Sequence, residues 1–262
     1  MPADHRSRGS GADVTVSAVH TVPAAAAARL FAPERPGPMI YAHITTTGLG
    51  RCRADRTREP RTALAELPGG NVACRGEPVV VPDLRGFVEA PAGWVPALRA
   101  TGEFGVWDRI VAVLPGGADP AVRRRVGRPV RRLTAADAPG LAALQPSLAW
   151  ICETWGGAAG LAASGMAWGA FDDGRPVAVA AAFYVGRAHE DVGVVTEPGQ
   201  RGQGLSTACA AALIGDIRAR GRRPSWTTSP DNTASRAVAA RLGFVPVRDD
   251  VLYAVGVPVP DA

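Results

Sequence analysis

The sequence contains no lysine, only four cysteines and no long apolar run, and each shortage excludes a class of protein. All 29 basic side chains are arginines, which together with frequent alanine, glycine and proline is typical of a GC-rich bacterial genome. No apolar run approaches the roughly 20 residues that cross a bilayer, so the sequence excludes a membrane span. Its beginning lacks the apolar core and cleavage site of a signal peptide, so we expect a cytoplasmic protein.

The cysteines are too widely spaced for the usual metal and redox motifs. Cys52, Cys74, Cys152 and Cys209 form no C-x-x-C pair, which is the spacing that many zinc and redox sites use. We therefore expect reduced thiols and no bound metal, as in a reducing cytoplasm.

The formal net charge of +5 raises the question of a nucleic-acid partner. The densest basic cluster consists of Arg123, Arg124, Arg125, Arg128, Arg131 and Arg132. No aromatic residue lies among these arginines for base stacking, so the pattern favours a solvated linker. Nucleic-acid binding stays a minor alternative.

Composition divides the chain into three parts. Residues 1–38 mix charge, alanine and proline, which predicts a flexible arm with a short helix. Residues 39–127 alternate apolar stretches with turn clusters and predict a small N-terminal α/β region. The proline- and glycine-rich stretch 114–120, followed by the arginines, is typical of a linker. Residues 128–262 form the third part, with the sharpest pattern.

The pattern from residue 128 onward predicts an ordered series of strands and helices. A strand at 130–133 precedes a helix capped by Thr134 or Asp137, which continues to Leu148. Asp172-Asp173-Gly174 separates two strand-like runs and predicts an antiparallel hairpin. A strand at 190–196, a helix at 204–220, a strand at 225–228, a helix at 232–242 and a closing hairpin at 244–257 follow. This order predicts a mixed sheet covered by helices.

A glycine-rich loop joins the strand at 190–196 to the following helix. Gly202 and Gly204 let the backbone approach a ligand closely, and the helix start presents unpaired N–H groups that attract an anion. The spacing matches neither the P-loop nor the dinucleotide fingerprint. These features favour the pyrophosphate of a cofactor that neither of these two motifs binds.

Two motifs in this part resemble the signatures of one family. The stretch 196–205, T-x-P-x-x-R-G-x-G-L, resembles the acetyl-CoA signature of the GNAT superfamily. Asn232-x-x-Ser235, leading to Leu242-Gly243-Phe244, resembles that family's N-x-x-S helix and G-F end. Together they imply a GNAT fold over about residues 128–257, with a mixed, mostly antiparallel sheet flanked by helices. The chain looks like a bacterial subgroup with an extra N-terminal region.

The resemblance implies roles for particular residues. Main-chain N–H groups of the loop would hold the pyrophosphate of CoA, and the strand around Val194 would bind the pantetheine arm. The helix that begins at Asn232 would line the other side of that arm. The residues expected to bind the cofactor are Val194, Val195, Thr196, Arg201, Gly202, Gln203, Gly204, Leu205, Ser206, Asn232 and Ser235.

The catalytic residues expected are Glu190 and Ser235. Glu190 stands where some members of the family carry a catalytic glutamate, and strand alternation puts it on the face opposite Asp191. An exposed acid at a strand start is the alternative reading of Glu190. The tyrosine that many members use as general acid is replaced by Ala239, so Ser235, Tyr253 or water would take that role.

The sequence therefore predicts an acyl-CoA-dependent N-acetyltransferase. It would transfer an acetyl group from acetyl-CoA, or another short acyl-CoA, directly to a primary amine of an unidentified acceptor. A small-molecule amine is the first choice, and a polyamine, an amino acid, an antibiotic amine and a protein terminus are all open. The alternative is a non-catalytic GNAT-like module that binds CoA or a partner. Residues 39–127 would form a degenerate GNAT-like or lid-like half, and the protein would be a monomer or homodimer without a membrane partner.

Overall fold

The computed structural model describes residues 18–116 and 127–260, and twelve strands in these parts form one continuous sheet. The strands are β1 (His20–Val22), β2 (Arg51–Ala54), β3 (Thr62–Glu66), β4 (Asn71–Gly76), β5 (Gly86–Glu89), β6 (Phe104–Val113), β7 (Val130–Arg132), β8 (Ala167–Asp172), β9 (Arg175–Val185), β10 (His189–Thr196), β11 (Arg223–Thr228) and β12 (Val245–Val255). Arg123, Arg124 and Arg125 of the basic cluster lie outside the described residues.

Seven α-helices accompany the sheet within these ranges. They are α1 (Ala24–Ala27), α2 (Ile40–Thr47), α3 (Val95–Arg99), α4 (Ala138–Ala142), α5 (Ala158–Ala163), α6 (Leu205–Ala219) and α7 (Thr233–Arg241), with a 3-10 helix at Pro146–Trp155. None of the helices described is long and apolar enough to cross a membrane.

The strand order is symmetric between the two halves of the chain. It runs β1-β2-β3-β4-β5-β12-β6-β11-β10-β9-β8-β7, so each half contributes five strands in sequence and exchanges its sixth with the other half. β4 pairs parallel with β5, and β10 pairs parallel with β11. Both halves therefore follow one topology, and the exchanged strands β6 and β12 join them in the middle of the sheet.

The two faces of the sheet carry different helices. Helices α6 and α7 pack on one face, where the buried side chains of α6 recur every four residues along Leu205, Cys209, Leu213 and Ile217. The other face carries α4, α5 and the 3-10 helix beneath the second half, and α1 and α2 beneath the first. The helix predicted at 204–220 is thus confirmed as an amphipathic helix over β8–β10.

The hairpin predicted around Asp173 and the capped start near Thr134 are confirmed. Asp173 and Gly174 both have positive φ, 46° and 77°, as a two-residue type I′ hairpin turn requires. Thr134 and Asp137 form a reciprocal capping box. The helix does not continue to Leu148, however, because α4 ends at Ala142 and Pro146, which has no N–H to donate, opens the separate 3-10 helix.

The closing hairpin predicted over residues 244–257 is wrong. One strand, β12, runs through this stretch, with a register shift between Pro246 and Arg248. Its long partner is β6 from the first half of the chain, so the strand does not need to fold back on itself. The pattern of two apolar runs reflected a β-bulge rather than a turn.

His43 on α2 fixes the first half against the second. Its Nδ1 accepts a hydrogen bond of 3.1 Å from the N–H of Val185 on β9, so Nε2 carries the proton and donates to the carbonyl of Thr154 at 3.1 Å. The ring is fully buried, and burial lowers its pKa to about 4. A neutral histidine therefore links three elements from both halves.

Candidate active site

A V-shaped opening forms where β10 and β11 separate. The two strands pair only at 189–191 with 223–225. Beyond that point β10 follows β9 as far as Thr196, while β11 follows β6 as far as Thr228. None of the twelve described strands pairs with the β11-facing edge of Val194, Val195 and Thr196, and such an edge can hydrogen-bond an extended ligand.

The start of α6 lies at the open end of β10. Gly204 precedes the helix with φ of 80°, and no side chain caps the first turn. Gly202 also has positive φ, and a side chain there would meet no atom within 4 Å. The first N–H groups of a fifteen-residue helix therefore lack a side-chain cap among the described residues, and a helix start of this kind is a favourable site for an anion.

Side chains tie this loop to the end of β10. The hydroxyl oxygens of Thr196 and Ser206 are 2.5 Å apart. The exposed Arg201 donates from Nε to the carbonyl of Thr196 at 3.4 Å, and Gln203 donates to Gln200. The structure therefore brings together the strand and loop residues that the sequence singled out, with a free strand edge leading to an anion site. This arrangement fits a pyrophosphate attached to an extended arm.

Helix α7 lies beside β11 on the other side of the opening. The side-chain oxygen of Asn232 accepts a hydrogen bond of 2.9 Å from the N–H of Ser235 and so caps the helix. The hydroxyl of Ser235 accepts a hydrogen bond of 3.0 Å from the indole N–H of Trp226. Ser235 therefore keeps its own proton available, whereas Ala239 is buried in the core beneath α7.

Glu190 lies beneath the end of α6, enclosed in an ion-pair cluster. Its side chain has no exposed surface. Arg220 donates to both of its carboxylate oxygens, at 2.9 and 2.7 Å, and Arg222 adds a third contact at 2.9 Å. Both carboxylate oxygens of Glu190 are therefore already occupied by guanidinium groups.

Asp191 faces the opposite side of the sheet and lies where the two strands part. Its Oδ1 accepts hydrogen bonds from Ser225 at 2.7 Å and from Thr227 at 3.0 Å. Its Oδ2 has no hydrogen-bond partner in the parts of the chain that the structure describes. The residue is only 4% exposed, and burial raises its pKa to about 6. Such a carboxylate accepts a proton readily near neutral pH.

Comparison with known proteins identifies the family. The model of the GNAT acetyltransferase family matches residues 132–253. An uncharacterized N-acetyltransferase from the mutA 5′ region of Streptomyces virginiae is 43% identical over 201 residues, which cover 73% of this chain and 84% of that protein. The chain belongs to the GNAT acetyltransferase family.

Solved structures share the fold of this GNAT enzyme over most of its length. A GCN5-related N-acetyltransferase-like protein from Streptococcus suis has a TM-score of 0.68 at 19% identity, covering 88% of this chain and 97% of that one. A tandem GNAT protein from the clavulanic acid biosynthesis pathway has a TM-score of 0.51 at 15% identity, covering 90% and 93%. At these identities the likeness concerns the fold alone.

Three further polar or aromatic side chains in the sheet have structural partners. Glu89 binds Arg35 and Arg75, and His189 lies 3.5 Å from Glu34. Tyr253 packs in the core of the first half, where it stacks on Phe104.

Two residues at this opening were not singled out from the sequence. Asp191 was named only as the residue on the face opposite Glu190, although Ser225 and Thr227, two hydroxyl residues on one face of the neighbouring strand, are the kind of residues that hydrogen-bond an acid there. Arg109 comes from β6 and joins the same face through Thr227. No local signal could have found it, because the exchange of β6 between the halves brings it there.

Proposed function

We propose that this GNAT enzyme transfers an acetyl group from acetyl-CoA directly to the primary amine of a small molecule. The observation that carries the proposal is the alignment of three features along one opening. An uncapped helix start stands at its wide end, a free strand edge runs along it, and a buried carboxylate with a raised pKa stands where it closes.

The residues along the opening suit an acyl-CoA. The N–H groups from Arg201 to Ser206 would hold the pyrophosphate, and the edge of β10 from Val194 to Thr196 would hydrogen-bond the pantetheine arm. Asn232 and Ser235 would stand on the far side of that arm, at the start of α7. Acetyl-CoA, when bound, supplies the activated acyl group.

Asp191 is the base in this proposal, in preference to Glu190. Its Oδ2 would accept the proton of the incoming ammonium, while Ser225 and Thr227 hold the carboxylate in position through Oδ1. Its raised pKa of about 6 matches a base that must both lose and accept a proton near neutrality. Glu190, which two arginines already neutralise, would stabilise the strand pair instead.

Ser235 would assist departure of the leaving sulfur. Its oxygen is oriented by the indole of Trp226, and its own proton is free to be donated. A hydroxyl in this position partly replaces the absent tyrosine.

Transfer would proceed without an acyl-enzyme. Cys209, which lies within α6, is fully buried, and burial raises the pKa of its thiol to about 12. Cys52, Cys74 and Cys152 are also buried free thiols. None is a suitable nucleophile. The reduced thiols also support a cytoplasmic setting, and a monomer or homodimer is the expected assembly.

Thiol release from acetyl-CoA in the presence of a panel of small amines tests the proposal. We expect turnover that falls at least about 100-fold in Asp191→Asn, since removal of a general base costs about that much. Asp108→Asn, an exposed aspartate on β6, is the matched control and should retain full activity. Tight CoA binding without turnover of any amine would instead favour a non-catalytic CoA-binding module.

A further inference from the structure

Arg109 is a cation without a carboxylate partner beside the proposed base. Its guanidinium stacks over Trp107 at 4.0 Å, and Nη2 donates to the carbonyl of Thr227 at 3.3 Å. Its Nε is buried and has no hydrogen-bond partner among the residues described, and no ion pair joins Arg109 to any of their carboxylates. A buried N–H without an acceptor is destabilising, and an anionic ligand would supply the missing acceptor.

Three other arginines, by contrast, pair with carboxylates. Arg35 and Arg75 both bind Glu89, and Arg248 binds Asp250 at 2.7 Å. Arg248 also has a buried Nε without a partner, but its charge is paired with Asp250, whereas Arg109 forms no ion pair with a described carboxylate.

Arg109 and Asp191 are held on either side of one residue. The Thr227 hydroxyl donates to Asp191 at 3.0 Å, and the Thr227 carbonyl accepts from Arg109 at 3.3 Å. The two groups do not form an ion pair with each other, so each keeps part of its charge for a ligand. A base for an amine and a cation for an anion thus lie within the length of one small molecule.

We propose that the acceptor is an amino acid, a primary amine joined by a short carbon chain to a carboxylate that Arg109 binds. This inference rests on the proposed function, because it places the amine at Asp191. One guanidinium offers two parallel N–H groups to a planar carboxylate. A phosphate dianion would need further cations, and the neighbouring arginines are already paired.

Matched pairs of acceptors test the inference with the full-length protein and acetyl-CoA. Glycine, β-alanine and γ-aminobutyrate are each compared with the amine that lacks the carboxylate: methylamine, ethylamine and propylamine. For the best of the three amino acids, we expect kcat/KM to exceed that of the matched amine at least about 10-fold. Arg109→Met should remove this preference by lowering kcat/KM for the amino acid at least about 10-fold, to the level of its amine and chiefly through KM, because a charged hydrogen-bonded contact is lost. Activity on the simple amines should change little.

Two further variants sharpen the experiment. Arg109→Lys keeps the charge but loses the paired N–H groups, so it should restore only part of the preference. Arg61→Met removes an exposed arginine elsewhere in the first half and should leave the preference intact. If Arg109→Met damaged the fold, both members of every pair would lose activity together.

The outcomes separate this inference from the proposed function. Turnover of simple amines at least equal to that of amino acids, unchanged in Arg109→Met, would overturn the inference and leave the acetyltransferase proposal standing. Preference for taurine over β-alanine would overturn the carboxylate assignment. If no amine is turned over, calorimetry decides: amino acid binding that disappears in Arg109→Met supports the site, and no binding to the unmodified protein contradicts it.

Discussion

Replacement of Glu190 by glutamine separates a structural role from a catalytic one. The carboxylate is fully buried and makes three contacts of 2.7–2.9 Å with Arg220 and Arg222, whose side chains are 24% and 21% exposed. Breaking a buried ion pair by removing one partner costs roughly 3–5 kcal/mol. Because water reaches both arginines, we expect the lower end, about 3 kcal/mol of unfolding free energy.

Thermal and denaturant unfolding measure this loss directly. For a chain of this size each kcal/mol lowers Tm by roughly 2–4 °C, so Glu190→Gln should melt about 6–12 °C below the unmodified protein. At a temperature where Glu190→Gln is folded, its kcat should stay within about threefold of the kcat of the unmodified protein, since the proposed base is Asp191. Glu103→Gln, at an exposed glutamate that forms no ion pair within residues 18–116 and 127–260, is the control and should change stability by less than about 0.5 kcal/mol.

The opposite result would refute this reasoning. If Glu190→Gln unfolds like the unmodified protein but loses 100-fold or more in kcat, the carboxylate acts in the chemistry, as the sequence first suggested. The assignment of the base to Asp191 would then fail.

Three further predictions follow from local geometry. The pKa of His43 is about 4 in the folded protein and roughly 6.5 in the unfolded chain. Its contribution of about 3 kcal/mol to the unfolding free energy is therefore present above pH 6.5 and is lost as the pH falls towards 4. Denaturant titrations at several pH values should show this loss, and an equal loss in His43→Leu would contradict it. Gly204→Val forces a branched side chain into a φ of 80° and should weaken CoA binding, measured by calorimetry, at least 10-fold. Gly199→Ala is the control, and unchanged CoA binding in Gly204→Val would show that the loop is not part of the site. Asn232→Ala loses a helix cap and should lower the unfolding free energy by about 1 kcal/mol, whereas a neutral result would mean that the cap contributes nothing.

Local patterns predicted the second half well. The hairpin at Asp173, the capping box at Thr134 and the helix starting after Gly204 each depend on residues close in sequence, and each is present. The alternation of Glu190 and Asp191 across β10 was also predicted correctly. What alternation does not reveal is which face carries the arginines and which carries the hydroxyl groups.

Contacts between the halves could not be predicted in this way. The exchange of β6 and β12 depends on pairing between strands more than a hundred residues apart, so the end of the chain was expected to fold back on itself. The same exchange places Arg109 beside Thr227. The division of the chain near residue 127 remains a prediction, although the sheet itself passes through both halves.

The pH dependence of acetyl transfer tests the central claim most directly. With an amine that the enzyme accepts, log kcat/KM should change slope by about one unit near pH 6, below the separate limb caused by ionisation of the amine itself. In Asp191→Asn this break should vanish along with most of the activity, and Glu190→Gln should keep it. A break near pH 6 that survives in Asp191→Asn would contradict the account.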